Sequence, residues 1–236
     1  MGIAIILLII IVIIILIYAI YYMLSGTQVL YDLNSQQPAI PFDKIASPNS
    51  IRYTYSMWLY VNVWPAEDKN IFSVVGPSST PIYTRLYLTG RTPTLKCDIL
   101  VSPPPPPAGQ SEGSATPKTV PITTNFPMQR WVHIVISMDG TVIDCYLDGK
   151  LVRSMDLGTA TAVDTITGTG ANTYTITFGT MNAFLTSFNR KAGATDPQSV
   201  WNQYLAGNGY DSKLASSYGF KFEVNKDKDV IAAYKY

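Results

Sequence analysis

Few residues in this chain are suited to acid–base or metal chemistry. There is one histidine, His133; there are three glutamates, Glu67, Glu112 and Glu223, and two cysteines, Cys97 and Cys145. Glycoside hydrolysis needs two carboxylates placed across the scissile bond. Glu67-Asp68 instead stands beside Lys69 in a turn-like stretch, Glu112 lies in a low-complexity segment, and Glu223 is near the C-terminus. Each reads as solvated charge. Nucleophilic catalysis needs a nucleophile with a base in reach, and His133 sits in a strand-like pattern with no second histidine and no suitably spaced cysteine. Two cysteines make neither a four-cysteine zinc site nor a disulfide scaffold. They read as buried thiols, with pairing across a sheet as the alternative. No residue is assigned to catalysis, to a cofactor or to a metal, and the chain is expected not to be an enzyme.

Charge narrows the partners. The formal net charge is +1 and charged residues make up 14% of the chain, against about 25% in an average soluble protein. Nucleic acid is not an expected partner, because no basic surplus is present to draw phosphates. All 17 Lys and Arg and all 16 Asp and Glu follow position 31. Ahead of them, Ile3–Leu24 is an unbroken run of 22 uncharged, almost wholly apolar residues. As a helix it measures roughly 33 Å, enough to cross a hydrocarbon core of about 30 Å. Tyr18, Tyr21 and Tyr22 gather at its C-terminal end, where amphipathic rings favour the headgroup region, so they are assigned to the membrane interface. A cleaved signal peptide is the competing reading. It requires a basic start, a shorter apolar core and a small-residue cleavage site, none of which is present. The chain has eleven asparagines and no Asn-x-Ser/Thr sequon, which tilts the orientation toward a globular domain outside the endoplasmic reticulum lumen.

The expected organisation is an anchor over residues 1–26, an extended stalk over 27–50 and a domain over 51–236. The stalk reading rests on Pro38, Pro41 and Pro48 among polar residues. Val29, Leu30, Tyr31 and Leu33 leave open that this stretch continues the helix or packs on the domain. From Ile51 to Trp64 the chain alternates with period two, the mark of a long strand covered on one face, with the aromatics Trp58, Tyr60 and Trp64 partly covering the second. Shorter strands are expected at 70–75, 82–88, 94–101 and 173–178. Residues 130–155 hold three apolar segments separated by Asp139-Gly140 and Asp148-Gly149, which predicts a meander with type I′ turns. One helix is expected from Thr195-Asp196-Pro197 to Gly207, packing through Val200, Trp201, Tyr204 and Leu205. Phe220, Phe222 and Val224 offer a further edge strand within the C-terminal extension 208–236.

Three segments carry a family resemblance: YTYSMWLYV, WVHIVISMDGTVIDCYLDGKLV, and ITFGTMNAFLTSFNRKAGATDPQSVWNQYLAG. Together they resemble laminin-G-like, concanavalin-A-like jelly-roll domains, with Trp131, His133, Asp139, Gly140, Tyr146, Asp148, Gly149 and Lys150 matching the central motif as structural residues. The resemblance implies an all-β, two-sheet antiparallel jelly-roll sandwich, here preceded by one transmembrane helix. Such modules sometimes hold calcium at loop tips, for which Asp139, Asp148, Asp156 and Asp164 qualify by type alone. The first two already have turn duties. The fold serves lectins, glycosidases, adhesion modules and virion proteins alike.

The chain also resembles membrane-anchored minor capsid proteins of large icosahedral DNA viruses. On that basis the expected function is a non-enzymatic structural or binding protein that links an internal virion membrane to the protein shell. Its partners would be the lipid bilayer and other capsid proteins. The alternative is a cell-surface, lectin-like carbohydrate-binding module; a glycan-acting enzyme ranks last. Within the Pro-rich insertion 102–117, Pro103, Pro104, Pro105, Pro106 and Pro107 form a rigid polyproline run. It reads either as a partner-gripping arm or as a tolerated hairpin insertion.

Overall fold

A computed structural model describes residues 11–16, 29–41, 44, 50–76, 81–102, 114–158, 162–163, 174–208, 221–226 and 229–235. The strands are β1 (Leu30–Asp32), β2 (Ile40–Pro41), β3 (Arg52–Val61), β4 (Lys69–Val75), β5 (Ile82–Leu88), β6 (Leu95–Ser102) and β7 (Thr116–Thr123). They continue with β8 (Trp131–Asp139), β9 (Val142–Leu147), β10 (Lys150–Asp156), β11 (Ala162–Val163), β12 (Thr175–Phe178) and β13 (Ala183–Ala192). After helix α1 (Pro197–Leu205) come β14 (Lys221–Lys226) and β15 (Asp229–Lys235). A six-stranded sheet runs β1-β13-β3-β8-β9-β10, and a seven-stranded sheet runs β11-β6-β5-β4-β12-β2 with β7 also on β6. The pairings are antiparallel, as in a two-sheet sandwich.

The alternation in β3 explains its place at the centre of one sheet. Tyr53, Tyr55, Met57, Leu59 and Val61 face the core shared by both sheets. From the opposite sheet Phe72, Leu86, Cys97 and Ile99 meet them. The other face of β3 is not open, because Trp58 is buried as well. Its ring stacks on Tyr204 of α1 at 5.8 Å, and Val200 joins Val135 and Tyr146 in a smaller cluster beneath the helix. The helix starts as its sequence dictates: Asp196 caps it, accepting from Ser199 N at 2.9 Å, and Pro197 occupies the first turn. Its apolar face is narrower than the sequence implies. Trp201 is 36% exposed and Leu205 64%.

The meander of β8, β9 and β10 is present, but its two turns differ. Leu147 pairs Lys150, leaving Asp148 (φ 48°) and Gly149 (φ 77°) as the two positive-φ residues of a type I′ turn. In the first turn Asp139 pairs Val142, so Gly140 (φ 65°) and Thr141 form the loop and the expected Asp-Gly turn is shifted by one residue. Asp139 stays in the ladder opposite Arg52 of β3, and its carboxylate meets Arg52 Nε at 2.7 Å.

Residues 29–41 belong to the sandwich; the packing reading of that stretch, not the stalk, describes them. β1 pairs β13, β2 pairs β12, Leu33 is fully buried, and Tyr31 stacks on Phe178 at 4.8 Å. Strand β7 was hidden in the sequence by Pro117 and Pro121, which an edge strand tolerates because its outer amides need no partner. β14 pairs β15 in a separate two-stranded sheet rather than extending the sandwich. Residues 11–16 are helical and their apolar side chains are exposed. Among the described residues no helix is long and apolar enough to cross a membrane. Tyr18, Tyr21, Tyr22 and Pro103–Pro107 lie outside the described residues.

Candidate binding site

The motif residues gather where the meander meets α1. Trp131 opens β8, half-buried, with its ring edge-on to Tyr60 at 5.6 Å. Asp148 ties the turn to β8: its carboxylate accepts from His133 N at 3.0 Å and from Arg130 Nη2 at 2.6 Å. Its own amide donates to His133 O at 2.9 Å. Gly149 lies against α1, and Tyr146 is buried beneath it. Lys150 is exposed at the start of β10, and Gly140 faces open space. His133 is 2% exposed, its ring packed at 5.0 Å from Trp58 and 6.3 Å from Tyr204. Burial lowers its pKa to about 4, with Asp148 partly opposing the shift, so the ring is neutral at physiological pH. These residues hold the meander and the helix together.

A different constellation faces outward on the seven-stranded sheet. Cross-strand register places Thr177 of β12 beside Ser73 of β4, Ser73 beside Arg85 of β5, Arg85 beside Asp98 of β6, and Asp98 beside Thr119 of β7. Five strands thus contribute one continuous polar row. Strand alternation explains why it faces away from the core: the intervening positions Val74, Leu86, Cys97 and Val120 point inward.

The row is rigidly wired. Arg85 Nε donates to Asn70 Oδ1 at 2.6 Å, and the guanidinium lies over the Tyr87 ring at 4.2 Å. Asp98 stands 3.8 Å from Arg85 Nη1 and accepts from Tyr87 OH at 3.4 Å and Thr119 Oγ1 at 2.7 Å. Ser73 and Thr177 share a hydroxyl bond of 2.9 Å. Tyr83 and Tyr174 meet edge-to-face at 5.3 Å, half-buried and packed against the core cluster. Arg85, Asp98 and Thr119 keep part of their surface in solvent while Ser73 and Tyr87 are buried, so the row offers fixed, planar groups for directed polar contacts. The sequence marked none of these residues as a group, because only strand pairing brings five distant segments into one line.

The candidate metal residues do not converge. Asp139 is paired with Arg52, Asp148 is committed to β8 and Arg130, and Asp156 accepts from Gly158 N at 2.8 Å. Asp164 lies outside the described residues. Among the described residues no group of three His, Cys, Asp or Glu side chains is arranged to hold a metal ion. Cys97 and Cys145 sit on opposite sheets, both buried in the shared core and both free thiols. Burial raises both pKa values, that of Cys145 to about 12.

The chain is similar to the botulinum neurotoxin serotype G binding domain (TM-score 0.46, 11% identity, 66% of this chain and 37% of that one). It is also similar to the serotype D ligand binding domain solved with N-acetylneuraminic acid (0.47, 10%, 78% and 40%). The receptor binding domain of the C/D mosaic serotype is a third such structure (0.49, 11%, 78% and 41%). The chain thus spans less than half the length of these structures. No curated protein matches it in sequence. A laminin-G-type family profile, described as the concanavalin A-like lectin/glucanases superfamily, matches residues 34–207, from the turn after β1 to the glycine that follows α1. With the sandwich and the profile covering the same residues, the chain belongs to the concanavalin A-like lectin/glucanases superfamily.

Proposed function

We propose that this chain is a membrane-tethered, non-catalytic binding protein whose sandwich recognises carbohydrate through the outward face of its seven-stranded sheet. The observation that carries this reading is the row Thr177-Ser73-Arg85-Asp98-Thr119, in which the Arg85, Asp98 and Thr119 side chains reach solvent. Sugars present paired hydroxyls, and the guanidinium, carboxylate and hydroxyl of this row are fixed polar groups to match. The superfamily includes lectins and glucanases, and the chemistry of the row favours the former. Hydrolysis asks for two carboxylates about 5–9.5 Å apart, and Asp98, the carboxylate of the row, is already committed to Arg85, Tyr87 and Thr119. The tether is supported by residues 11–16, a helical stretch of Ile, Val and Leu exposed along its length, which calls for an apolar surrounding. In this reading the chain is single-pass and its domain lies outside the endoplasmic reticulum lumen.

A second reading, a minor capsid component joining an internal virion membrane to its shell, draws on the sequon-free asparagines together with the apolar span. A glycan screen of the full chain in detergent, with and without calcium, tests the first reading. Specific millimolar-or-tighter binding that Arg85→Ala abolishes is expected. Glycan hydrolysis abolished by a single Asp or Glu substitution would overturn the non-catalytic claim. No glycan binding, with crosslinking of source particles to a coat protein, would favour the virion reading.

A further inference from the structure

We infer that the opposite, six-stranded sheet carries a second site: a pocket beneath α1 that takes a small uncharged polyol, whose hydroxyl groups hydrogen-bond His133 and Gln203. The pocket measures about 510 Å³, within the range of small-molecule sites. Trp58 and His133 line it from β3 and β8, Ser187 and Asn189 from β13, and Gln203 from α1.

Two of these residues carry unanswered polar atoms. His133 Nδ1 and Gln203 Oε1 are both buried, and among the described residues neither has a hydrogen-bond partner. Buried polar groups are rarely left so, and each orphan costs free energy that a bound partner would recover. Gln203 Oε1 only accepts, and Nδ1 of a neutral imidazole accepts or donates according to its tautomer, so hydroxyl groups, which do both, answer both atoms. Burial keeps His133 in that neutral form.

The remaining lining sets the ligand class. None of the described lining residues carries a charge, so a phosphate or carboxylate would enter without a counter-ion. The Trp58 ring supplies an apolar wall and the amide of Asn189 adds polar capacity. The wall formed by β13 is a built irregularity: its register on β3 shifts between Thr186 and Asn189, and Ser187 holds φ at 54°. A non-glycine residue at positive φ is a local strain that structures retain mostly where it positions a site.

The chain has a single histidine, so labelling histidine with nitrogen-15 places one reporter in the pocket. The full chain, in a detergent without sugar or glycerol head groups, is titrated with glycerol, methyl β-D-glucopyranoside, methyl β-D-galactopyranoside and N-acetylglucosamine. A saturable millimolar shift of the His133 ring nitrogens with at least one probe is expected, glycerol separating a free polyol from a sugar unit. Gln203→Leu should weaken it about tenfold, the factor carried by one hydrogen bond. Asn189→Ala provides a second variant, on an exposed side chain, should the helix be disturbed. Arg85→Ala, which removes the binding proposed for the other sheet, should leave this shift intact and so separates the two sites. No saturable shift with any probe in the folded wild-type chain, or unchanged affinity in both pocket variants, overturns the inference.

Discussion

The indole of Trp201 lies so close to Gly149 that a Cβ there would sit 2.7 Å from Trp201 Cε3 and 3.1 Å from Tyr204 Cβ. The β9–β10 turn and helix α1 are therefore fitted to each other through a missing side chain. The same glycine holds φ at 77°, so backbone and packing both demand it.

Substitution at the two turn glycines should separate these demands. Gly140→Ala meets only the backbone penalty, about 1 kcal/mol, because nothing lies within 4 Å of its Cβ position. Gly149→Ala adds overlap with α1 and should cost roughly 2–4 kcal/mol. Thermal melting of both variants and of Gly149→Ala with Trp201→Ala checks this. The double variant should recover part of the loss, and additive effects would refute the contact.

His133 makes stability depend on pH. Its folded pKa of about 4 lies below the ordinary 6.5, so the unfolded chain takes up its proton first as pH falls. The stabilisation is complete above about pH 6.5 and is lost progressively toward pH 4, to a total of roughly 3 kcal/mol. Denaturant midpoints between pH 7.5 and 4.5 should fall for the wild type and fall less for His133→Gln. Parallel curves would show that carboxylates alone account for the slope.

Both cysteines should resist modification in the folded chain. The reactive form is the thiolate, and burial pushes both thiols well above their usual range. Ellman's reagent at pH 8 should report almost no thiol in the native protein and two after guanidinium is added. Fast native labelling of Cys97 or Cys145 would contradict their place in the core.

The first strands should matter to the domain. A chain beginning at Val29 retains β1, β2 and Leu33 and should melt cooperatively with strand-rich dichroism. One beginning at Ser50 loses two edge strands and the buried Leu33 side chain, itself worth about 2–5 kcal/mol. Equal melting temperatures would mean that residues 29–41 contribute nothing to the sandwich.

Sequence alone determined the elements whose signals are local. The alternation of β3, the Asp148-Gly149 turn, and the Asp196-Pro197 start of α1 are all legible in a few neighbouring residues, because they depend on period, φ and capping. The sparse carboxylates and the lone histidine likewise limited the chemistry before any fold was known. Tertiary structure decided what depends on partners distant in the chain. Leu30–Asp32 is a strand only because β13 offers it an edge, and Asp139 joins the β3–β8 ladder opposite Arg52 rather than the turn. The row from Thr177 to Thr119 exists only through strand register, and the orphaned atoms of His133 and Gln203 only because α1 closes over β8. Strand order and burial are global outcomes of packing two sheets around one core, and no short window of residues encodes them.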